Sequence, residues 1–146
     1  MDGRQVEFAG DEWFDLFRRR LHEVIPAMGS ALEGVTFSIC EIATDPPEHL
    51  ADPGTNRVAW WFRIDGPTVE VGRGARDDVA NRSEGDYSAV LTAARTVYAD
   101  DPRTLDKQRR RRSSAVRRGR ATPLVVPPEL EETLLELHDF LARRTC

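Results

Sequence analysis

The segment Arg57–Asp65 (RVAWWFRID) constrains the fold more than any other part of the chain. Its side chains alternate, and β-branched and aromatic residues at this period are typical of a strand. Trp61 lies on the opposite side from the apolar row that contains Trp60. Asp65-Gly66-Pro67 is a strong turn signal, and residues 68–71 alternate again. The two segments therefore predict a β-hairpin centred on Gly66.

Further elements follow from the hydrophobic periods along the chain. Helical spacing predicts helices over 11–25, 86–99, 104–118 and a last one launched by Pro127-Pro128, and Pro26 is expected to kink or stop the first of them. Strand patterns cover 35–42, 78–83 and an edge segment at 122–126. This order predicts an α+β fold in which an antiparallel sheet of about four to five strands carries helices on one face.

The length of 146 residues predicts one domain over 1–146, in which residues 1–10 are flexible and 104–119 form an exposed basic helix or segment. No apolar run has the length of a membrane span, and the N-terminus does not have a signal-peptide pattern. We therefore expect a cytoplasmic protein in which Cys40 and Cys146 are free thiols.

Residues suited to chemistry are few and scattered in the sequence. His22 and His138 fall in predicted helices and are expected to face solvent or a polar boundary, and His49 falls in a loop. No nucleophile-elbow motif or metal-ligand spacing is present, and Gly72-Arg73-Gly74 is interpreted as a simple turn. We predict no metal and no cofactor, and the pattern favours binding over catalysis.

Aromatic residues are concentrated in the segments that predict the core. Such a set can fill a core, or it can line a cavity between helices and sheet, because ligand pockets are mostly apolar. The sequence does not distinguish these two alternatives. If a cavity exists, its predicted wall residues are Phe37, Ile39, Trp60, Phe62, Val90 and Leu91.

The segment from Lys107 to Arg120 contains eight basic residues and no acidic residue. The formal net charge of the chain is −4, so the rest carries about −12. The run is open to three interpretations: a solvated or self-neutralising helix, a contact with an acidic protein or anionic ligand through Arg109, Arg110, Arg111 and Arg112, or a nucleic-acid contact. The last is disfavoured, because the run has no aromatic residue to stack on bases and the rest of the chain repels a polyanion.

The stretch WWFRIDGPTVEVGRG, followed by EGDYSAVLTAA, resembles the sterol-carrier-protein-2-like (SCP2-like) domain in the order of its elements, over residues 12–99. This resemblance implies a sheet covered by helices around an apolar tunnel that binds lipids, sterols or acyl chains without catalysis. In that family a glycine-containing strand usually follows the central helix. Here the arginine run and TPLVV stand in its place.

Three functional hypotheses follow. The leading one is a non-catalytic binding or carrier domain for a hydrophobic small molecule. The second is an interaction or regulatory protein that uses residues 107–120 to dock an acidic protein or nucleic acid. The third is a small cyclase- or isomerase-type enzyme, in which His49, Asp65 and Asp86 are the residues to test. The sequence leaves the oligomeric state open.

Overall fold

The computed structural model describes residues 4–146 and contains four α-helices and four strands within them. The helices are α1 (Asp11–Met28), α2 (Tyr87–Ala94), α3 (Pro102–Arg117) and α4 (Pro128–Ala142). The strands are β1 (Thr36–Thr44), β2 (Arg57–Asp65), β3 (Thr68–Arg73) and β4 (Asn81–Asp86). The α+β fold class predicted from the sequence is confirmed.

The strands form one open sheet in the order β3-β2-β1-β4. The predicted hairpin is present, because β2 and β3 pair antiparallel with Asp65 opposite Thr68. β1 pairs antiparallel with β2 but parallel with β4. The prediction of an antiparallel sheet was therefore wrong, and the sheet is mixed.

The parallel pair results from the connection between β3 and β4. Residues 74–80 lead from one edge of the sheet to the other across the face that carries Trp61, where the Arg76 guanidinium lies 4.2 Å from the Trp61 ring centroid. The Arg76 backbone nitrogen lies 3.5 Å from the Cys40 sulfur of β1. Because the chain crosses the sheet before it pairs again, β4 runs in the same direction as β1. Side-chain alternation does not encode this direction.

The main core lies on the opposite face of the sheet, where α1, α2 and α4 pack. The buried residues of α1 lie four apart, as the predicted amphipathic stripe requires: Trp13, Phe17, Leu21 and Ile25. Pro26 does not end this helix, which continues to Met28 before a short 3₁₀ helix. A smaller apolar cluster of Cys40, Ile42 and Ala59 occupies the Trp61 side of the sheet.

Two elements differ from their sequence predictions: one helix is shorter, and one expected edge strand is absent from the described residues. α2 ends at Ala94 instead of continuing to residue 99, because the buried Asp139 carboxylate accepts hydrogen bonds from the backbone nitrogens of Tyr98 and Ala99 at 2.8 and 3.1 Å. The segment 122–126 is not a strand. The residue that precedes it, Ala121, forms one isolated bridge with Ser83 of β4, and the sheet has four strands within residues 4–146.

The N-terminal segment packs onto the body of the domain from Val6 onwards. Val6 and Phe8 are buried, and the Val6 backbone nitrogen donates to the carbonyl oxygen of Arg144 at 2.8 Å. The flexibility predicted for residues 1–10 therefore does not describe these core residues, and residues 1–3 lie outside the described part of the chain. Within residues 4–146, no helix combines the length and apolarity that a bilayer-spanning segment requires.

Candidate functional site

A cavity of about 1040 Å³ lies between the core face of the sheet and helices α2, α3 and α4. We call it the central cavity. Its volume is slightly above the usual range of ligand pockets, roughly 300–1,000 Å³. Side chains of Phe37, Ile39, Trp60 and Phe62 form its sheet wall. The interior on this face is therefore not completely filled by its own side chains.

Five of the six predicted wall residues line the central cavity: Phe37, Ile39, Trp60, Phe62 and Val90. The sixth, Leu91, is half-buried and packs against the core instead of lining the cavity. Val90 and Leu91 are adjacent on a helix, so they point in directions about 100° apart. The predicted set of wall residues included both, although only Val90 lines the cavity.

Aromatic rings form a continuous cluster at the sheet end of the cavity. Trp13 stacks on Phe17 at a centroid distance of 5.3 Å and meets Trp60 edge-on at 5.1 Å. Phe8 packs against both tryptophans at 5.0 and 5.4 Å. The indole nitrogen Nε1 of Trp13 is buried and has no hydrogen-bond acceptor among the described residues. An apolar wall of the cavity therefore contains one unpaired donor.

One carboxylate, Glu41 on β1, lines the same wall. It continues the row of Phe37 and Ile39 at the two-residue period of a strand, and it lies opposite Trp60 on β2 and Ser83 on β4. Burial raises the pKa of the Glu41 carboxyl, while Arg112 and a hydrogen bond with the Trp60 side chain act in the opposite direction. Glu41 was not among the site residues predicted from the sequence, although the alternation of VTFSICEI extends to it.

α3 supplies the wall that faces solvent. Leu105, Gln108, Arg109, Arg112, Ser113 and Val116 recur at helical spacing and line the cavity. The Arg112 guanidinium Nη2 donates to the carbonyl oxygens of Arg82 at 3.3 Å and Thr122 at 3.1 Å. α3 is thus the predicted basic helix and has no fully buried residue, yet one of its faces closes the cavity.

The four arginines predicted as partner-binding residues divide between the two faces of α3. Arg109 and Arg112 line the central cavity, Arg109 from an exposed position, whereas Arg110 and Arg111 are exposed and do not line it. Within residues 107–120, the ion pair of Arg109 with Asp106, at 3.8 Å, is the one contact below 4.0 Å between a described cation and a carboxylate. The run is therefore not neutralised by close pairs within the chain.

His138 on α4 also lines the cavity, where it is half-buried, and the sequence prediction that it faces solvent or a polar boundary did not include a place in the cavity wall. Its ring stacks on Tyr98 at a centroid distance of 4.1 Å, and Nε2 donates to the carbonyl oxygen of Thr96 at 2.9 Å. Burial lowers the pKa of His138. Burial also raises the pKa of Tyr98 to about 12, so both side chains are held in their neutral forms near pH 7.

None of the three residues of the enzyme hypothesis lines the central cavity. His49 is exposed and its Nε2 lies 2.9 Å from Glu7, Asp65 is exposed at the hairpin turn, and the Asp86 carboxylate accepts a hydrogen bond from Thr44. The structure does not bring these residues together. Within residues 4–146, no group of three or more His, Cys, Asp or Glu residues could hold a metal ion.

Comparisons with protein-family models, with curated proteins and with solved structures find no match to this chain. Functional inference therefore rests on the geometry of the central cavity and on the chemistry of its lining.

Proposed function

We propose that this chain binds a hydrophobic small molecule in the central cavity and carries it without chemical change. The observation that supports this proposal is the cavity itself, about 1040 Å³ in volume, open to solvent on one side and lined mainly by apolar side chains of the sheet and the helices. Transfer of apolar ligand surface from water into such a site is favourable by roughly 25 cal/mol per Å². We propose the cytoplasm as the location, where the free thiols of Cys40 and Cys146 are stable.

The order of elements supports an SCP2-like domain as part of this proposal. β2 ends at the Asp65-Gly66 turn, β3 follows, the polar strand β4 comes next, and α2 begins directly after Asp86. This is the order on which the sequence resemblance rests. Binding of lipids, sterols or acyl chains is what such a domain implies.

Binding is tested with N-phenyl-1-naphthylamine, a neutral dye whose fluorescence rises in apolar surroundings. We expect saturable enhancement by the purified chain, and we expect native mass spectrometry of the chain to detect co-purified lipid. A dye that shows no saturable binding, together with a lipid-free mass, would contradict the proposal.

A matched pair of variants on α2 locates the binding site. Ala94 lines the central cavity, while Ala89 is exposed on the same helix. Ala94→Phe fills part of the cavity and is expected to weaken dye binding by about tenfold, because a ligand loses roughly 1–2 kcal/mol of apolar contact. Ala89→Phe adds the same side chain outside the cavity and should leave dye affinity within twofold.

The exposed basic face of α3 favours a second candidate function, docking of an acidic protein segment. Lys107, Arg110 and Arg111 are exposed and are not paired with a carboxylate within 4.0 Å in the described chain. Arg110→Gln/Arg111→Gln is the informative variant, because these residues do not line the central cavity. It should weaken binding of labelled poly-glutamate and flatten its salt dependence. Unchanged affinity would exclude this role, and tighter binding of single-stranded DNA would favour nucleic acid instead.

A further inference from the structure

In the described part of the chain, Glu41 is the one carboxylate on the sheet wall of the central cavity, and it stands among polar and aromatic side chains. Its carboxylate lies between Trp60 and Ser83 on neighbouring strands, and Trp13 packs on Trp60 at 5.1 Å. Trp13 is 5% exposed, and its Nε1 has no acceptor among the described residues. The cavity wall thus presents an acceptor and an unpaired donor within one cluster of side chains.

Arg112 supplies positive charge to the same cavity from the opposite wall. It influences the ionisation of Glu41, but the two side chains do not form an ion pair within 4.0 Å. The Nε of Arg112 is buried and has no acceptor among the described residues. A ligand group between the walls therefore meets a carboxylate on one side and N–H donors on the other.

This arrangement disfavours three kinds of ligand end group. A carboxylate is attracted by Arg112 but repelled by Glu41, and a primary ammonium is attracted by Glu41 but repelled by Arg112. Neither charged group therefore recovers the free energy that it loses when it leaves water for the cavity. A plain hydrocarbon end would leave the buried Trp13 and Arg112 donors unpaired, which costs free energy in a buried site. A hydroxyl group is neutral, donates one hydrogen bond and accepts others.

We propose that the central cavity selects a hydrophobic ligand with a neutral hydroxyl end, which donates to Glu41 and accepts from Arg112 or Trp13. This inference rests on the proposed function, because it requires that a hydrophobic ligand enters the cavity. It adds the chemical class of the ligand, a long-chain alcohol in preference to a fatty acid, an alkylamine or an alkane.

The direct test uses wild-type protein loaded with N-phenyl-1-naphthylamine and four competitors of equal chain length: 1-dodecanol, dodecanoate, dodecylamine and dodecane. At pH 8, and below the micelle concentrations, we expect dodecanol to displace the dye at about tenfold lower concentration than the other three. This factor corresponds to one buried polar group left unpaired or repelled. Equal displacement by dodecanol and dodecanoate would overturn the selectivity while dye binding itself still stood.

Two variants of one chemical type assign the selectivity to Glu41. Glu41→Gln removes the negative charge from the cavity, so dodecanoate should gain affinity and the ratio between alcohol and acid should fall to about threefold or less. Glu70→Gln makes the same change at an exposed position of β3 outside the cavity, and the ratio should stay near the wild-type value. Thermal melts confirm that both variants are folded. A folded Glu41→Gln variant with an unchanged ratio would overturn the role of Glu41.

The binding measurements distinguish failure of the proposed function from failure of the hydroxyl selectivity. If neither the dye nor any of the four competitors binds to the wild-type chain, the proposed function fails and this inference fails with it. If the dye binds and the alcohol has no advantage, the hydroxyl selectivity alone fails.

Discussion

At the scale of single residues, Gly72 on β3 and Trp61 on β2 form a tightly packed pair outside the main core. The two residues are opposite each other in the sheet, and the indole ring covers the glycine. A Cβ atom at position 72 would lie 2.5–2.7 Å from three atoms of the ring. Glycine is therefore required at this position because a ring occupies the space, and not because of an unusual backbone angle.

Gly72→Ala should destabilise the protein by roughly 1–3 kcal/mol, the usual cost of forcing extra volume into a packed site. The measurement is the free energy of unfolding in urea. In a Trp61→Leu background the same substitution should cost clearly less, because the smaller side chain makes room for the methyl group. An equal cost in both backgrounds would show that the clash with Trp61 is not the cause.

His138 predicts how stability depends on pH. Burial holds its pKa in the folded state below the unfolded value of about 6.5. The unfolded chain therefore binds more protons between these two pKa values, so stability is complete above about pH 6.5 and falls as the pH decreases through this window. The ionisation of Glu41 changes the free energy of unfolding in the opposite direction. Because its pKa is raised in the folded state, its contribution to stability is present at low pH and is lost as the pH rises through the folded pKa.

The pH prediction is checked by urea unfolding at pH 7.5 and pH 5.5. His138→Gln should lose less stability than wild type between these values, because it cannot take up the additional proton on unfolding. His22→Gln, at an exposed position of α1, should show the wild-type decrease. The prediction fails if His138→Gln has the same pH dependence as wild type.

At the scale of secondary-structure elements, one buried carboxylate connects the segment after α2 to α4. Asp139 is 8% exposed, and its two oxygens accept hydrogen bonds from the backbone nitrogens of Tyr98 and Ala99. These contacts position Tyr98 for its stacking on His138. A helix end that the local sequence does not specify is thus specified by a side chain about forty residues away.

Asp139→Ala should lower the free energy of unfolding by roughly 1–3 kcal/mol, because two backbone donors lose their acceptor. It should also increase amide exchange at residues 96–101. Glu136→Ala, on the exposed side of the same helix, should stay within about 0.5 kcal/mol of wild type. Unchanged exchange at 96–101 in Asp139→Ala would contradict the assigned role.

The elements differ in how well their sequences predict them. The 57–71 hairpin, α1, α3 and α4 follow from period and turn residues, since these signals are local. The end of α2 and the pairing of residues 120–122 beside β4 depend on contacts distant in sequence. The same applies to the candidate site, in which Glu41 lies on a predictable strand face but approaches Arg112 through the tertiary fold.

At the scale of the whole molecule, the two ends of the described chain close the core together. Val6 exchanges backbone hydrogen bonds with Arg144 and Cys146 at 2.8 and 3.0 Å. Phe8 is 2% exposed, and its carbonyl oxygen accepts a hydrogen bond from the Tyr87 hydroxyl at 2.9 Å. The segment before α1 is thus part of the aromatic cluster beside the central cavity.

Phe8→Ala should therefore destabilise the whole domain by roughly 3–5 kcal/mol, as expected for a large ring removed from a core. Calorimetric melting should show one cooperative transition at a lower temperature. Gln5→Ala, in the same segment but exposed, should leave the melting temperature nearly unchanged. If Phe8→Ala also melted like wild type, the N-terminal segment would not belong to the core.

Local periodicity in the sequence was sufficient for the α+β class, for the hairpin and for the apolar faces that meet in the interior, because a strand or an amphipathic helix repeats its pattern over a few residues. The parallel direction of β4, the burial of Phe8 and the space left between sheet and helices depended on the tertiary structure. Each of these results from where distant segments meet. Whether facing side chains fill or enclose a volume is a property of their packing, which no single segment of the sequence contains.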